Sequence, residues 1–355
     1  MNAKSHLLVF NHVMDLEDPL LSHQLEIVLL LAKRFTQVTV VTGRVGSLGL
    51  LPPNVEVLSS KWSPGKPLLN LIRFYRLALP LILSPKTTAV FSHMADLQCA
   101  LVSPITKLLH KRHCLWYAHV HESIYLKISM LFVDKVVTST KGSFPPIQVD
   151  VHTIGQSIDP ISFKPNASRS YRNIKRVLTY GRLDISKRAD EIIYSVRKLR
   201  DEFPELTLTI VGSPGNAASI AWAKNLQGEN PDEWLKFFPS VHRKEIDKLV
   251  SEHDVFFHAY RGSLDKVLIE ASLMEIPVVT TNLEYHRLFG SWNTSFSTTL
   301  TSEYEGLVKL PPSQIRAEVQ RRRDLALKNH SMEHWINQIS VILRSGENSE
   351  PKSEK

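Results

Sequence analysis

Glu270 stands in an otherwise apolar run, VLIEASLMEIPVV (267–279), where a carboxylate needs either a partner or a ligand. The run is entered through Gly262-Ser263-Leu264-Asp265-Lys266. A helix beginning after Gly262 and Ser263 would put Glu270 about two turns in, with free backbone amides at Ser263 and Leu264 facing the same crevice. Amides at a helix start favour a diphosphate, and a fixed carboxylate beyond them can accept hydrogen bonds from ribose hydroxyls. Upstream, YGRLDISKR (180–188) ends a strand with Arg182 and carries Lys187 shortly after, which supplies two cations for the same phosphates. Plainer readings stand beside these. Arg182 could pair with Asp184, Lys187 could be a solvated first-turn residue, and Lys266 could pair with Glu270 at i, i+4.

The elements that must position these residues alternate between short apolar strands and helical runs, which argues for parallel sheets with crossover helices. The first half offers strands at 6–11, 37–43, 55–59, 89–93, 113–119 and 134–140, with helices at 22–35 and 97–109. The pattern restarts with strands at 176–183, 206–212, 254–260 and 277–282 and a helix over 189–203, in which Ile192, Ile193, Val196 and Leu199 form one stripe. With 355 residues, two domains are expected. They are placed at 1–160 and 170–329, joined by the Pro- and Ser-rich linker 155–170. A final helix at about 330–344 follows, then a polar, disordered tail at 345–355.

Composition narrows the function classes. Two cysteines, Cys99 and Cys114, match neither a disulfide framework nor a metal site, so a reducing, cytoplasmic setting is expected. The first residues, MNAKSHLLVFNHVMD, read as a strand and not a signal peptide. The stretch VFNHVMDLEDPLLSHQ (9–24) holds no glycine, which excludes a G-x-G-x-x-G fingerprint there, and Asp15, Glu17 and Asp18 read as a solvated acidic turn. The net charge is +8, and between Arg44 and Lys86 six basic residues face Glu56 alone. An anionic partner for the first half follows. The segment NLIRFYRLALPLILSPK (70–86) could lie peripherally on an anionic inner membrane face, or be an ordinary sheet-packed helix broken at Pro80. No basic run interleaved with stacking aromatics points to nucleic acid.

The run DKVLIEASLMEIPVVTTN (265–282), taken with YGRLDISKR, resembles the C-terminal half of family 4 retaining glycosyltransferases. DPLLSHQ (18–24), LWYAH (115–119) and IGQSID (154–159) are looser matches. The resemblance implies a GT-B fold: two Rossmann-like α/β domains facing a cleft, with the last helix crossing back to the first domain. It further implies a hexosyltransferase moving sugar from a UDP-, GDP- or ADP-sugar to a saccharide or lipid-linked acceptor, with retention and without a metal. Arg182 and Lys187 would stabilise the leaving diphosphate, amides near Ser263 and Leu264 would assist, and Glu270 would hold the ribose. His119, at the end of its strand, would touch the donor sugar or stabilise developing charge, although a backbone-bonded strand end is the plainer alternative. Base contacts are expected near Gly212 and Ser213 and at Pro239 to Val241, and acceptor contacts at Ser22, His23 and Gln24. One departure is marked: where the family carries a first glutamate against the transferred sugar, this chain has Gly262. A non-catalytic subunit that binds nucleotide sugar or a partner transferase, and a nucleotide-sugar epimerase, remain competing readings.

Overall fold

The computed structural model describes residues 5–18, 21–293 and 299–344. The chain divides into two compact units, Met1–Ile154 with His334–Lys355, and Gly155–Glu333. The expectation for the 345–355 tail, and Pro19 and Leu20 of the DPLLSHQ motif, lie outside the described residues.

In the first unit, β1 (His6–Met14), β2 (Gln37–Val45), β3 (Val55–Ser59), β4 (Thr87–His93), β5 (Arg112–Trp116), β6 (Lys135–Thr138) and β7 (Val151–Thr153) form one parallel sheet, ordered β3-β2-β1-β4-β5-β6-β7. Helices α1 (His23–Ala32), α2 (Pro67–Leu83), α3 (Asp96–Leu108) and α4 (Ile124–Phe132) make four of its six connections. The period-two alternation of a strand sorts β1 between two cores. Leu7 and Val9 join Leu25, Val28 and Leu31 of α1, whereas Leu8 and Phe10 meet Phe74, Ala78 and Ile82 of α2 and Val102 of α3.

Three expectations change here. β5 stops at Trp116, short of His119: the Tyr117 amide makes one more bond to the Val137 carbonyl, and beyond it the chain bonds locally, Tyr117 Oη donating to the His121 carbonyl and the His121 amide to His119 Nδ1 at 2.9 Å. Such local bonds compete with a ladder. α2 is not broken at Pro80 but runs on to Leu83. Pro80 and Arg76 lie on its exposed face, so the Arg76 carbonyl that loses its donor faces water. The edge strand β7 was not foreseen, its three residues being too few for a periodic signal.

In the second unit β8 (Arg176–Tyr180), β9 (Thr207–Val211), β10 (Leu235–Phe238), β11 (Val255–His258) and β12 (Val278–Thr280) form a parallel sheet ordered β10-β9-β8-β11-β12. Its helices are α5 (Ala189–Leu199), α6 (Ala217–Gly228), α7 (Ile246–Ser251), α8 (Lys266–Leu273), α9 (Leu283–Phe289), α10 (Leu300–Val308) and α11 (Pro312–His330). The α5 stripe Ile192, Ile193, Val196 and Leu199 is buried as expected. Segment 155–170, read as a linker, is seated in this unit. Ile158 and Phe163 are buried, and Ile158 exchanges backbone hydrogen bonds with His330 and Met332. Its few apolar residues suffice because each finds a pocket.

The last helix, α12 (Met332–Arg344), belongs from His334 onward to the first unit. Trp335, Ile336, Ile339 and Leu343 complete the β1–α1 core, with the Trp335 ring edge-on to Trp116 at 5.3 Å. Among the described residues no helix is long and apolar enough to cross a membrane. Trp335→Ala should cost roughly 3–5 kcal/mol; calorimetry should show the loss as a lowered unfolding temperature, with far-UV circular dichroism unchanged at low temperature.

Candidate functional site

β8 is the first strand of the second sheet, with β9 on one side and β11 on the other. Chain direction therefore reverses sideways between β8 and β11, the switch point outside whose carboxyl ends ligands collect in open parallel sheets. β8 delivers Tyr180, Gly181 and Arg182 to this edge, and β11 delivers His258, Tyr260 and the loop into α8.

Lys187, in the 3-10 turn Ile185–Lys187, reaches the loop before α8, where its ammonium pairs with Asp265. It also lies 4.1 Å from the centre of the Tyr260 ring, a cation–π distance. The same carboxylate oxygen of Asp265, Oδ2, is also met by His258 Nε2 at 3.3 Å, and His258 Nδ1 lies 3.1 Å from Thr280 Oγ1. Burial alone would raise the Asp265 carboxyl, but Lys187 and then His258 outweigh it and hold the group well below the usual carboxylate range. Burial pushes His258 down, which suits a neutral ring that donates to Asp265 and accepts the Thr280 hydroxyl. Asp265 therefore neither faces away nor caps α8 with its side chain; it anchors Lys187.

Glu270 is buried and points toward different partners from the one its helix spacing suggested. Tyr180 Oη donates to Oε2 at 3.3 Å, and the Arg243 guanidinium stands 3.7 Å from Oε1. Burial raises the Glu270 carboxyl, with Arg243 and then Lys266 acting in the opposite direction. Lys266 thus contributes through its field, while Arg243, more than twenty positions upstream, supplies the ion pair. Neither Tyr180 nor Arg243 was singled out from the sequence. A tyrosine ending the strand before GRL was the available signal for the first; Arg243 had none, since its approach depends on how the loop after β10 folds.

α8 starts at Lys266, later than the Gly262–Ser263 start expected, so Glu270 lies little more than one turn in. The amides ahead of it are nevertheless organised. Asn282 Nδ2 lies 2.9 Å from the Tyr260 carbonyl, 3.3 Å from that of Gly262 and 3.2 Å from that of Ser263, and Gln156 Nε2 donates to the Leu264 carbonyl at 2.9 Å. In a trans peptide the next N–H points opposite to the carbonyl. Carbonyls drawn to Asn282 and Gln156 therefore turn the Ser263, Leu264 and Asp265 amides the other way. Asn282, which also caps α9, is a site-building residue that its place at the end of the β12 run could have suggested.

Space bears on two glycines of this edge, at Gly212 through backbone and at Gly262 through a side chain. A Cβ at Gly212 would stand 2.1 Å from the Gly181 carbonyl oxygen, so the loops after β8 and β9 can touch only with glycine there. A Cβ at Gly262 would stand 2.1 Å from Tyr260 Oη. The Tyr260 side chain thus fills the volume that a side chain at 262 would take. Arg182 is half-exposed and bonded to Asp184 at 2.7 Å, the plainer of its two readings. Ser213 Oγ accepts the Ser240 amide at 3.0 Å, which joins the two loops expected to hold a base, and Val241 packs beside the α8 core.

The remaining candidates belong to the first unit. Gln24 is buried, its Oε1 accepting the amides of His12 and Val13 at 3.2 and 3.0 Å. Ser22 is the residue before α1, and the His23 ring meets His93 edge-on at 5.9 Å. His119 is exposed and turned over the His121 amide. The acidic turn is held by Arg44, which pairs with Asp15 and Asp18. Among the described residues, no group of three or more His, Cys, Asp or Glu is gathered to hold a metal ion.

Residues 161–287 match the family described as Glycosyl transferases group 1, a span that contains Arg182, Lys187, Gly212, Val241, Gly262 and Glu270. Among curated proteins no sequence match was found. Solved structures share the whole architecture. HepE of Anabaena, solved with UDP-glucose, has 16% identity and a TM-score of 0.72, covering 96% of this chain and 99% of its own. Sucrose-phosphate synthase of Thermosynechococcus elongatus has 13% identity and a TM-score of 0.75, over 96% and 98%. WaaG, described as a glycosyltransferase involved in lipopolysaccharide biosynthesis, has 15% identity and a TM-score of 0.64, over 96% and 100%. The chain has the GT-B architecture of two Rossmann-like units.

The raised Glu270 carboxyl gives a signed expectation. A folded-state pKa above the unfolded value stabilises the fold below the unfolded pKa, about 4, and that contribution is lost as pH rises through the folded value. Glu270→Gln keeps a hydrogen-bond acceptor for Tyr180 without the charge. Its unfolding temperature relative to wild type should therefore increase from about pH 4 to pH 7, as measured by differential scanning fluorimetry across that range; a constant difference would refute the assignment.

Proposed function

We propose that this chain is a glycosyltransferase that moves a hexose from a nucleoside diphosphate sugar to a saccharide or lipid-linked hydroxyl, with retention. The observation that carries the reading is the edge of the second sheet at β8 and β11. There a buried carboxylate, two cations and a set of turned-out amides gather within the segment that matches the transferase family. Glu270 is the group for ribose hydroxyls, and a ligand that donates to it relieves the cost of its burial. Lys187 and Arg182 are the cations for the diphosphate. Lys187 is held by Asp265 and the Tyr260 ring, so its ammonium need not be ordered when the donor arrives.

In the reaction proposed, the bond between the anomeric carbon and the diphosphate oxygen breaks. Negative charge grows on the leaving phosphate and is met by Lys187, Arg182 and the amides of Ser263 and Leu264. The acceptor hydroxyl attacks from the face the diphosphate leaves and passes its proton to a phosphate oxygen. His119 is proposed to contact the donor sugar. The complexes of HepE with UDP and UDP-glucose make UDP the first nucleotide to try. A second reading, a subunit that binds donor without transferring, is favoured by one feature: Tyr260, not a carboxylate, fills the place of a side chain at 262.

A thermal-shift panel of UDP, GDP, ADP and their sugar conjugates tests the donor site. A ligand at 100 times its Kd should add about 2.7 kcal/mol to the folded state, a rise of several degrees or less at this size. One nucleotide should stabilise wild type, while Glu270→Ala and Lys187→Ala should lose most of that rise. No stabilisation of folded wild type by any nucleotide would sink the proposal. Binding without transfer to any acceptor and without slow donor hydrolysis would select the non-catalytic reading.

A further inference from the structure

α2 is apolar on two opposite sides. Asn70, Phe74, Ala78 and Ile82 recur every fourth residue and are buried, the last three against β1 and β4. The face half a turn away should then be polar in a solvated helix. Instead it carries Leu68, Ile72, Leu79 and Leu83, with Leu68, Ile72 and Leu83 exposed by 70, 57 and 56%. Of the aromatic and aliphatic residues in the 70–86 segment, the fold places Phe74 in the core and leaves Ile72, Leu79 and Leu83 outside.

The cations around that face are unneutralised. No Asp or Glu occurs from Val57 to Ala95, a stretch containing Lys61, Lys66, Arg73, Arg76 and Lys86. Among the described residues none of these five pairs with a carboxylate. Arg73 instead donates to the Lys61 carbonyl at 3.1 Å, which draws the two toward one end of the helix.

We propose that the outward face of α2 docks on an anionic lipid surface, its leucines and Ile72 entering the interface while the surrounding Lys and Arg meet the headgroups. Aliphatic residues ringed by lysine suit this occupant, whereas protein interfaces enrich aromatics and deplete lysine. A symmetric contact with a second copy would set like charges against one another. The proposal is independent of the donor-site reading.

The test is co-sedimentation of the full chain with phosphatidylcholine vesicles, with and without about one-third phosphatidylglycerol. Wild type should pellet with the anionic vesicles alone and be released between about 0.05 and 0.5 M salt. Arg73→Gln/Arg76→Gln should lower the partition roughly twenty-five-fold, about fivefold per charge. Leu68→Ser/Ile72→Ser should lower it as well, without loss of thermal stability, since both side chains point outward. Hydrogen exchange on wild type needs no variant and should show vesicle-dependent protection over 67–83. The proposal is overturned by absence of binding, by equal binding to neutral vesicles, by insensitivity of binding to the serine pair, or by protection confined to other segments. A wild-type dimer that the serine pair converts to monomer would assign the face to a second copy, and would overturn it too.

Discussion

In both sheets the central strands are covered on their two faces, Leu7 and Val9 on one side of β1 and Leu8 and Phe10 on the other, with β8 and β11 likewise enclosed. Such strands have no surface on which to carry polar chemistry. Reactive side chains and free amides are driven to the strand ends. In the second unit they converge where β8 and β11 part, the point at which strand order reverses. Each feature of the candidate site depends on that geometry: Tyr180 as the last residue of β8, His258 as the last of β11, and the loop that Asn282 gathers from the end of β12.

The two carboxylates at this edge are five positions apart in sequence, yet their environments drive them in opposite directions. Asp265 is buried against an ammonium and an imidazole and is firmly ionised. Glu270 is buried against a phenol and a more distant guanidinium and resists ionisation. The difference supports the roles proposed for them. A carboxylate already matched by Lys187 is part of the framework, whereas one whose charge is poorly compensated has capacity left for a ligand.

Much of this was legible in the chain. The βα alternation and the α5 stripe come from local pattern, and local pattern survives folding. What the sequence hid was contact at long range. Arg243 reaches Glu270 from the loop after β10, Gln156 reaches the Leu264 carbonyl from the start of the second unit, and Asn282 collects carbonyls from twenty residues upstream. No periodicity encodes such meetings. The late start of α8 belongs to the same class: the bonds from Asn282 and Gln156 hold residues 262–264 out of the helix. Pro80 shows the reverse error, a strong local signal overridden because the orphaned carbonyl faces water.

The Tyr260 ring and a side chain at 262 compete for one volume. The two positions are therefore a single unit of change. A larger residue at 262 must first evict the ring, and with it the aromatic face under Lys187, while shrinking Tyr260 leaves a hollow beside a glycine that no longer needs to be one. Each change alters the room left for the other. Residues in contact couple, so the effect of drift at one of these positions depends on the other, and design at this corner begins with both residues at once.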